Sequence, residues 1–174
     1  MKKTILSAII LMALVMTSCK KEVTVSSPYK IGEVYQGGVI VYIDQTGQHG
    51  LISSGVDIPS YIPFSKSNLW LNTKTTYGSG SQNTTQIIDK QGSSGYYAAS
   101  WGVFLGWFLP SKEELNIIYH QKDKIKYTQN KWSTVYWSSS VDVSGNVWVQ
   151  DFLTGKQFVK SQSDSSSVRG AKYF

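Results

Sequence analysis

Two apolar periods run through the chain. Residues 39–43 read Val-Ile-Val-Tyr-Ile, residues 45–48 read Gln-Thr-Gly-Gln, and the apolar run resumes at Gly50-Leu51-Ile52. β-Branched and aromatic residues suit a pleated surface and glycine supplies the turn, so this segment predicts a β-hairpin. Gly37 and Gly38 at its start predict a bulge or a close backbone approach. Val-Trp-Val-Gln-Asp-Phe at 147–152, the Thr154-Gly155 turn and Gln157-Phe158-Val159 predict a second hairpin, and 135–140 alternates before turning polar, as another strand would. Residues 167–174 read as a closing strand. A chain that ends on Tyr173-Phe174 is expected to be tied into the core.

The other period is helical. Leu115, Ile118 and Tyr119 recur at i, i+3 and i+4, which gives one buried face. Ser111 and Glu114 ahead of them form the S-x-x-E capping pattern, in which the hydroxyl accepts from one amide while the carboxylate reaches back to another. Pro110 keeps Leu109 extended, so the chain is strand or turn up to Ser111 and helix directly after it. Glu113 and Glu114 then lie in the first turn, where carboxylates complement the helix dipole. Paired acids also suggest glycosidase chemistry, but neighbours on a helix point about 100° apart, and the cap already occupies Glu114. Residues 96–104 predict a short helix ended by Gly106. Residues 53–95 are poor in apolar runs and rich in Ser, Thr, Asn and Gly, so long ordered loops are expected, with Trp70, Leu71, Ile87 and Ile88 as apolar pins. No internal repeat is present.

The N-terminus has a different character. Lys2 and Lys3 precede an apolar stretch at 5–16 that is too short to span a bilayer comfortably, which is the pattern of a secretory signal peptide over residues 1–18. Met16-Thr17-Ser18-Cys19 looks like a bacterial lipobox, and Cys19 is the only cysteine, so it is expected to be lipidated rather than disulfide-bonded. Each buried acyl methylene contributes about 0.8 kcal/mol, so two or more chains hold a protein to a membrane. Lys20 follows Cys19, where an aspartate would signal inner-membrane retention; an outer-membrane location is expected. Residues 19–28 read as the lipidated cysteine and a short tether ending at Pro28, and 29–174 as one domain.

Composition changes the picture modestly. Cleavage before Cys19 leaves 156 residues, enough for one core, with 15 basic against 11 acidic residues. That +4 is no nucleic-acid signature. Aromatics are 13% of the chain and charged residues 16%, a mixture suited to a loop-rich extracellular domain stapled by aromatic packing.

Several of these pieces together resemble the Lcl C-terminal domain family, named after a bacterial collagen-like adhesin. They are Ile31-Gly32 with Tyr35-Gln36-Gly37-Gly38, then Thr46-Gly47-Gln48-His49-Gly50-Leu51, then Trp107-Phe108-Leu109-Pro110-Ser111-Lys112-Glu113-Glu114-Leu115. Tyr136-Trp137-Ser138-Ser139-Ser140 and Val168-Arg169-Gly170-Ala171 complete the set, in family order from about Tyr29 to Phe174. The resemblance implies an α+β, C-type-lectin-like domain: a small twisted, mostly antiparallel sheet with two short helices and long loops. Wider relatives include the formylglycine-generating enzyme fold, whose helix entry is similar to FLPSKEELN at 108–116. Trp101 stands where many members keep a cysteine, and 53–95 lacks the cysteine pair common in relatives.

The candidate chemistry is sparse. The oxidase relatives need reactive cysteines, and the mature domain has none beyond Cys19. Ser138 to Ser140 lie outside a G-x-S-x-G elbow, and neither His49 nor His120 has triad context, so no catalytic residue is assigned and the chain reads as a non-enzyme. No metal site or cofactor is assigned: Asp142, Asn146 and Asp151 could offer oxygens to calcium, but turn and surface roles explain them equally, and no lectin calcium tripeptide is present. Lys112, Lys122, Lys124, Lys126 and Lys131 fall in one twenty-residue stretch leading to Trp132. Lys122, Lys124, Lys126, Lys131 and Trp132 are the candidate ligand-binding residues, since cations neutralise polyanions and a flat ring stacks on sugar faces. The same strip also reads as a solvated basic loop. Two functions follow: a displayed binding or adhesion module for anionic polysaccharide or matrix glycans, or a structural or accessory subunit of a surface appendage or envelope complex. The expected partners are a membrane through the anchor and a glycan, without nucleic acid; oligomerisation stays open.

Overall fold

The computed structural model describes residues 27–104, 106–125 and 134–174. Residues 1–26, which hold the expected signal peptide, Cys19 and most of the expected tether, lie outside the described residues, as do Lys126, Lys131 and Trp132. Nine strands and three helices are described within them, in the order β1 (Val34–Tyr35), β2 (Gly38–Ile43), β3 (Gly50–Ser54), β4 (Ile58–Pro63), α1 (Gly80–Gln91), α2 (Ala98–Phe104), α3 (Lys112–His120), β5 (Val135–Val141), β6 (Val147–Asp151), β7 (Gln157–Lys160), β8 (Ser165–Val168) and β9 (Ala171–Tyr173). They form two sheets, ordered β1-β2-β3-β9 and β4-β8-β5-β6-β7. All pairs are antiparallel except β5–β8, where Tyr136 faces Ser167 in parallel register. Among the described residues no helix is long and apolar enough to cross a membrane.

Both hairpins and the helices over α2 and α3 follow the sequence pattern. Three expectations need correction. Instead of one sheet there are two. The closing strand is also two strands, β8 in the five-stranded sheet and β9 in the four-stranded one, with Arg169-Gly170 as the crossing between them. Gly170 must be a glycine there, because a Cβ would sit 2.7 Å from Trp107 Cβ. Residues 53–95 are not only loop: they contain β4 and the twelve-residue α1, so the helices number three rather than two. β4 carries two prolines and survives because it is a sheet edge, where a missing amide is tolerated. The α1 sequence is a poor helix former with no acidic first turn and no side-chain cap, and tertiary contacts hold it. Its buried Asn83 donates to Lys74 O at 2.7 Å and Ser139 Oγ at 3.2 Å, and its buried Thr84 accepts from Leu109 N at 2.9 Å.

The core has two halves, and one strand feeds both. Side chains alternate across a strand, so Trp137 of β5 packs with Ile62, Phe64, Ile87 and Leu109, while Tyr136 packs with Leu51, Phe108, Leu115 and Phe152. The entry to α3 divides the same way, Leu109 into one half and Phe108 into the other. Phe108 also bridges to Ala171, each amide reaching the other's carbonyl at 2.9 Å. At Ser111 the full capping box forms: Ser111 N donates to Glu114 Oε2 at 2.7 Å and Glu114 N donates to Ser111 Oγ at 3.3 Å. Phe174 closes the chain against Tyr29 and Tyr35, with ring centroids 4.7 and 5.5 Å away.

Glu114 does more than cap. It is fully buried, and its Oε1 accepts from Gly78 N at 2.8 Å and from the Tyr173 hydroxyl. The Tyr77 ring packs at a tilt to Tyr42, 4.9 Å away, and edge-on to Tyr173, 6.2 Å away, so it neighbours the phenol that donates to Glu114. Burial, followed by the negative charge that Tyr42, Glu114 and Asp44 can carry, pushes the Tyr77 hydroxyl up to about 12. Burial and then the Glu114 hydrogen bond raise Tyr173 too. The fold therefore favours the protonated phenols, whose contribution is complete below the unfolded value of about 10 and lost as pH climbs through the folded values. An ultraviolet absorbance titration should show these two phenols ionising above the ordinary tyrosine range, while denaturant stability falls above about pH 10. Tyrosines that all ionise together in the folded chain would contradict the arrangement.

Candidate functional site

The lysine strip is only partly in view. Lys122 is half-buried, donates from Nζ to Phe152 O at 3.1 Å and lies 4.7 Å from the centre of the Tyr119 ring, so its charge is already engaged. Lys124 is exposed, its stem resting along Gly32, where a Cβ would meet Lys124 Cδ at 3.4 Å. Lys112 stands apart, its Nζ 3.5 Å from the centre of the Trp148 ring. The structure thus leaves Lys124 as the solvated cation of the described part of the strip.

The other sequence candidates have local roles. Ser138 Oγ donates to Trp148 O at 2.7 Å, and Ser140 Oγ donates to Lys74 O at 2.7 Å while accepting from Lys112 N at 3.0 Å. Glu113 Oε2 accepts from Tyr77 N at 2.9 Å. Asp142 Oδ1 closes the β5–β6 turn by accepting from Ser144 N at 2.9 Å and Asn146 N at 2.8 Å, and Asp151 Oδ1 accepts from Leu153 N at 2.9 Å. His49 and His120 are exposed. Among the described residues no three His, Cys, Asp or Glu side chains gather as a metal site.

A different place stands out, one read from sequence as an apolar pin. Leu71, Ile87 and Ile88 do pack in the core, but Trp70 is 83% exposed. From 68 to 76 exposure alternates residue by residue, the mark of an extended chain that sends neighbours to opposite sides. Leu69, Leu71 and Thr73 face in; Asn68, Trp70, Asn72 and Lys74 face out. The segment is riveted on its inner side. Leu69 N donates to Gln162 Oε1 at 2.9 Å, Thr73 Oγ1 accepts from Val141 N at 2.7 Å, and Lys74 N donates to Asn83 Oδ1 at 2.9 Å. Its stretch of polar residues therefore behaves as a fixed ledge, and Trp70 stands on it.

Trp70 borders two clefts. One, of about 220 Å³, is walled by Asn68 and by the β5–β6 and β7–β8 turns, through Ser144, Asn146, Ser161 and Gln162. The other, of about 320 Å³, lies toward α1, with Asn72, Gln86, Asp89 and Lys90. Gln162, 3% exposed, pins the first cleft: its Nε2 donates to Leu69 O and to Gly145 O, both at 2.8 Å, and its Oε1 also accepts from Ser65 Oγ at 2.9 Å. By contrast the side-chain amides of Asn68, Asn72, Gln86 and Asn146 make no hydrogen bond among the described residues. Lys160, next in sequence to Ser161, is held away by donating to Ser165 O at 2.8 Å and Ser166 Oγ at 3.0 Å, and burial lowers its ammonium below the usual lysine range. No protein-family model matches the chain, and a search of curated proteins finds no match either.

Proposed function

We propose that the chain is a cell-envelope lipoprotein, anchored through Cys19 in the outer membrane, that displays a non-catalytic, C-type-lectin-like binding or adhesion domain for glycans. The observation that carries this reading is Trp70, a large apolar ring held out in water on a hydrogen-bonded ledge between two polar clefts. An indole in that setting exposes apolar surface that burial would otherwise stabilise by about 25 cal/mol per Å², and a ligand is what would cover it. The lectin-like architecture is supported by the small, mostly antiparallel sheets, the meeting of Tyr29 with Phe174, and the long riveted loop between β4 and α1. Absence of catalysis is supported by the engagement of Glu113, Glu114 and Ser138 in backbone hydrogen bonds.

The test is a glycan array probed with the full chain in detergent. Retention on one chemically related group of glycans is the expected result. A chain that binds none, and is recovered from membranes in a fixed complex with other proteins, would replace this reading with the structural-subunit one.

A further inference from the structure

The Trp70 ledge also indicates which glycans would fit, an inference that rests on the binding reading above. The geometry points to an uncharged polysaccharide, gripped along the interior of its chain, with one pyranose ring stacked on Trp70 and its neighbours in the two flanking clefts.

Charge decides the first part. None of the described residues lining the Gln162 cleft is ionisable, and the α1 cleft has Asp89 beside Lys90, which offset each other. A sulfated or carboxylated chain would find no net cation to neutralise it there. What the clefts do present are carboxamides and hydroxyls. Each carboxamide offers two donors and an acceptor, which matches vicinal sugar hydroxyls that also donate and accept. Those of Asn68 and Asn146 in one cleft, and of Asn72 and Gln86 in the other, are uncommitted among the described residues. A pyranose adds an apolar C–H face, and the exposed indole supplies a flat apolar partner for it.

Topology decides the second part. The clefts are built from different elements, the β5–β6 and β7–β8 turns on one side and α1 on the other, and Trp70 belongs to both. A single capped sugar would use one cleft; a ligand that uses the ridge and both clefts must continue past Trp70 in each direction. The site is also largely preformed, because Gln162 ties Leu69 to Gly145 and Leu71 is packed against the core. Binding then orders few protein groups, which favours affinity.

The full chain in detergent can be run through native gels cast with neutral polysaccharides, a mixed-linkage β-glucan and a galactomannan, with heparin as the anionic comparison and with chelator in duplicate lanes. Retardation in a neutral gel, unaffected by chelator, is expected for the native chain. Trp70→Ala should weaken it at least about tenfold, the scale of a central aromatic anchor, Trp70→Phe should restore part of it, and Lys124→Glu should leave it unchanged. Because residue 70 is exposed, Trp70→Ala should melt with the native chain, which separates lost binding from lost folding. If the chain is retarded by heparin alone, and Lys124→Glu abolishes that while Trp70→Ala does not, the binding reading stands and the assignment to Trp70 is wrong. No retardation in any gel overturns both, and neutral retardation that survives Trp70→Ala overturns the assignment.

Discussion

Replacing Arg169 by alanine is expected to cost about 3 kcal/mol, the lower end of the range for breaking a buried ion pair, and to lower the melting temperature by roughly 6–12 °C. Arg169 is 2% exposed and sits where the chain passes from one sheet to the other. Its Nη1 donates to Ser54 O at 3.0 Å, its Nη2 pairs with Asp57 Oδ1, and Asp57 Oδ2 accepts from the Tyr136 hydroxyl at 2.7 Å. Ser54 and Asp57 flank the second crossing, between β3 and β4, so one guanidinium ties both places at which the backbone changes sheets. Alanine leaves the Asp57 carboxylate and the Ser54 carbonyl without the fork. The lower end applies because Asp57 is 12% exposed and keeps Tyr136. The double variant Arg169→Met with Asp57→Leu should recover much of the loss, since it removes both charges together. Urea denaturation reads each value, and a loss below about 1 kcal/mol for Arg169→Ala would mean that the pair contributes no more than a surface one.

The second large effect joins fold to site. Gln162→Ala removes the side chain whose amide satisfies Leu69 N, Leu69 O and Gly145 O; the Ser65 hydroxyl, which it also meets, keeps Ser67 O. Each buried group left unsatisfied costs about 1–3 kcal/mol; the adjoining cleft admits water, so about 2–3 kcal/mol in total is expected rather than the full sum. Glycan binding should fall with it while Trp70 is untouched, because the ledge and the β5–β6 turn lose their common tie. Gln162→Glu keeps the acceptor and loses both donations, so it should lose the Gly145 contact and resemble alanine in binding. Thermal melts and gel retardation measured on the same two variants check this. A variant that is destabilised yet binds at full strength would show that the cleft does not depend on Gln162.

What the sequence made legible was local. The capping box at Ser111 and Glu114, the two hairpins and the α2 and α3 helices rest on residues within a few positions of each other, and they stand where the pattern puts them. α1 was illegible because Asn83 and Thr84, buried through bonds to Lys74, Ser139 and Leu109, look in sequence like loop residues. β4 was masked by its prolines, which only an edge position excuses. The change of sheet at Arg169-Gly170 depends on Ser54 and Asp57, more than a hundred residues away. For Trp70 the sequence does carry a readable sign. In Asn68-Leu69-Trp70-Leu71-Asn72-Thr73-Lys74 the tryptophan shares its parity with Asn68, Asn72 and Lys74, the polar side of an extended segment. Hydrophobicity argued for inward; parity argued for outward, and the rivets at Leu69 and Thr73 decided for parity.

The most direct measurement follows the six indole N–H resonances by NMR as a neutral oligosaccharide is added to the isotope-labelled chain, with Trp70→Phe assigning one of them. The Trp70 resonance should shift in proportion to saturation, while that of Trp137, whose Nε1 donates to the buried Ile62 O at 2.9 Å, should stay in place. A saturable shift at other indoles with Trp70 unmoved, or no shift with any neutral oligosaccharide, would contradict the account.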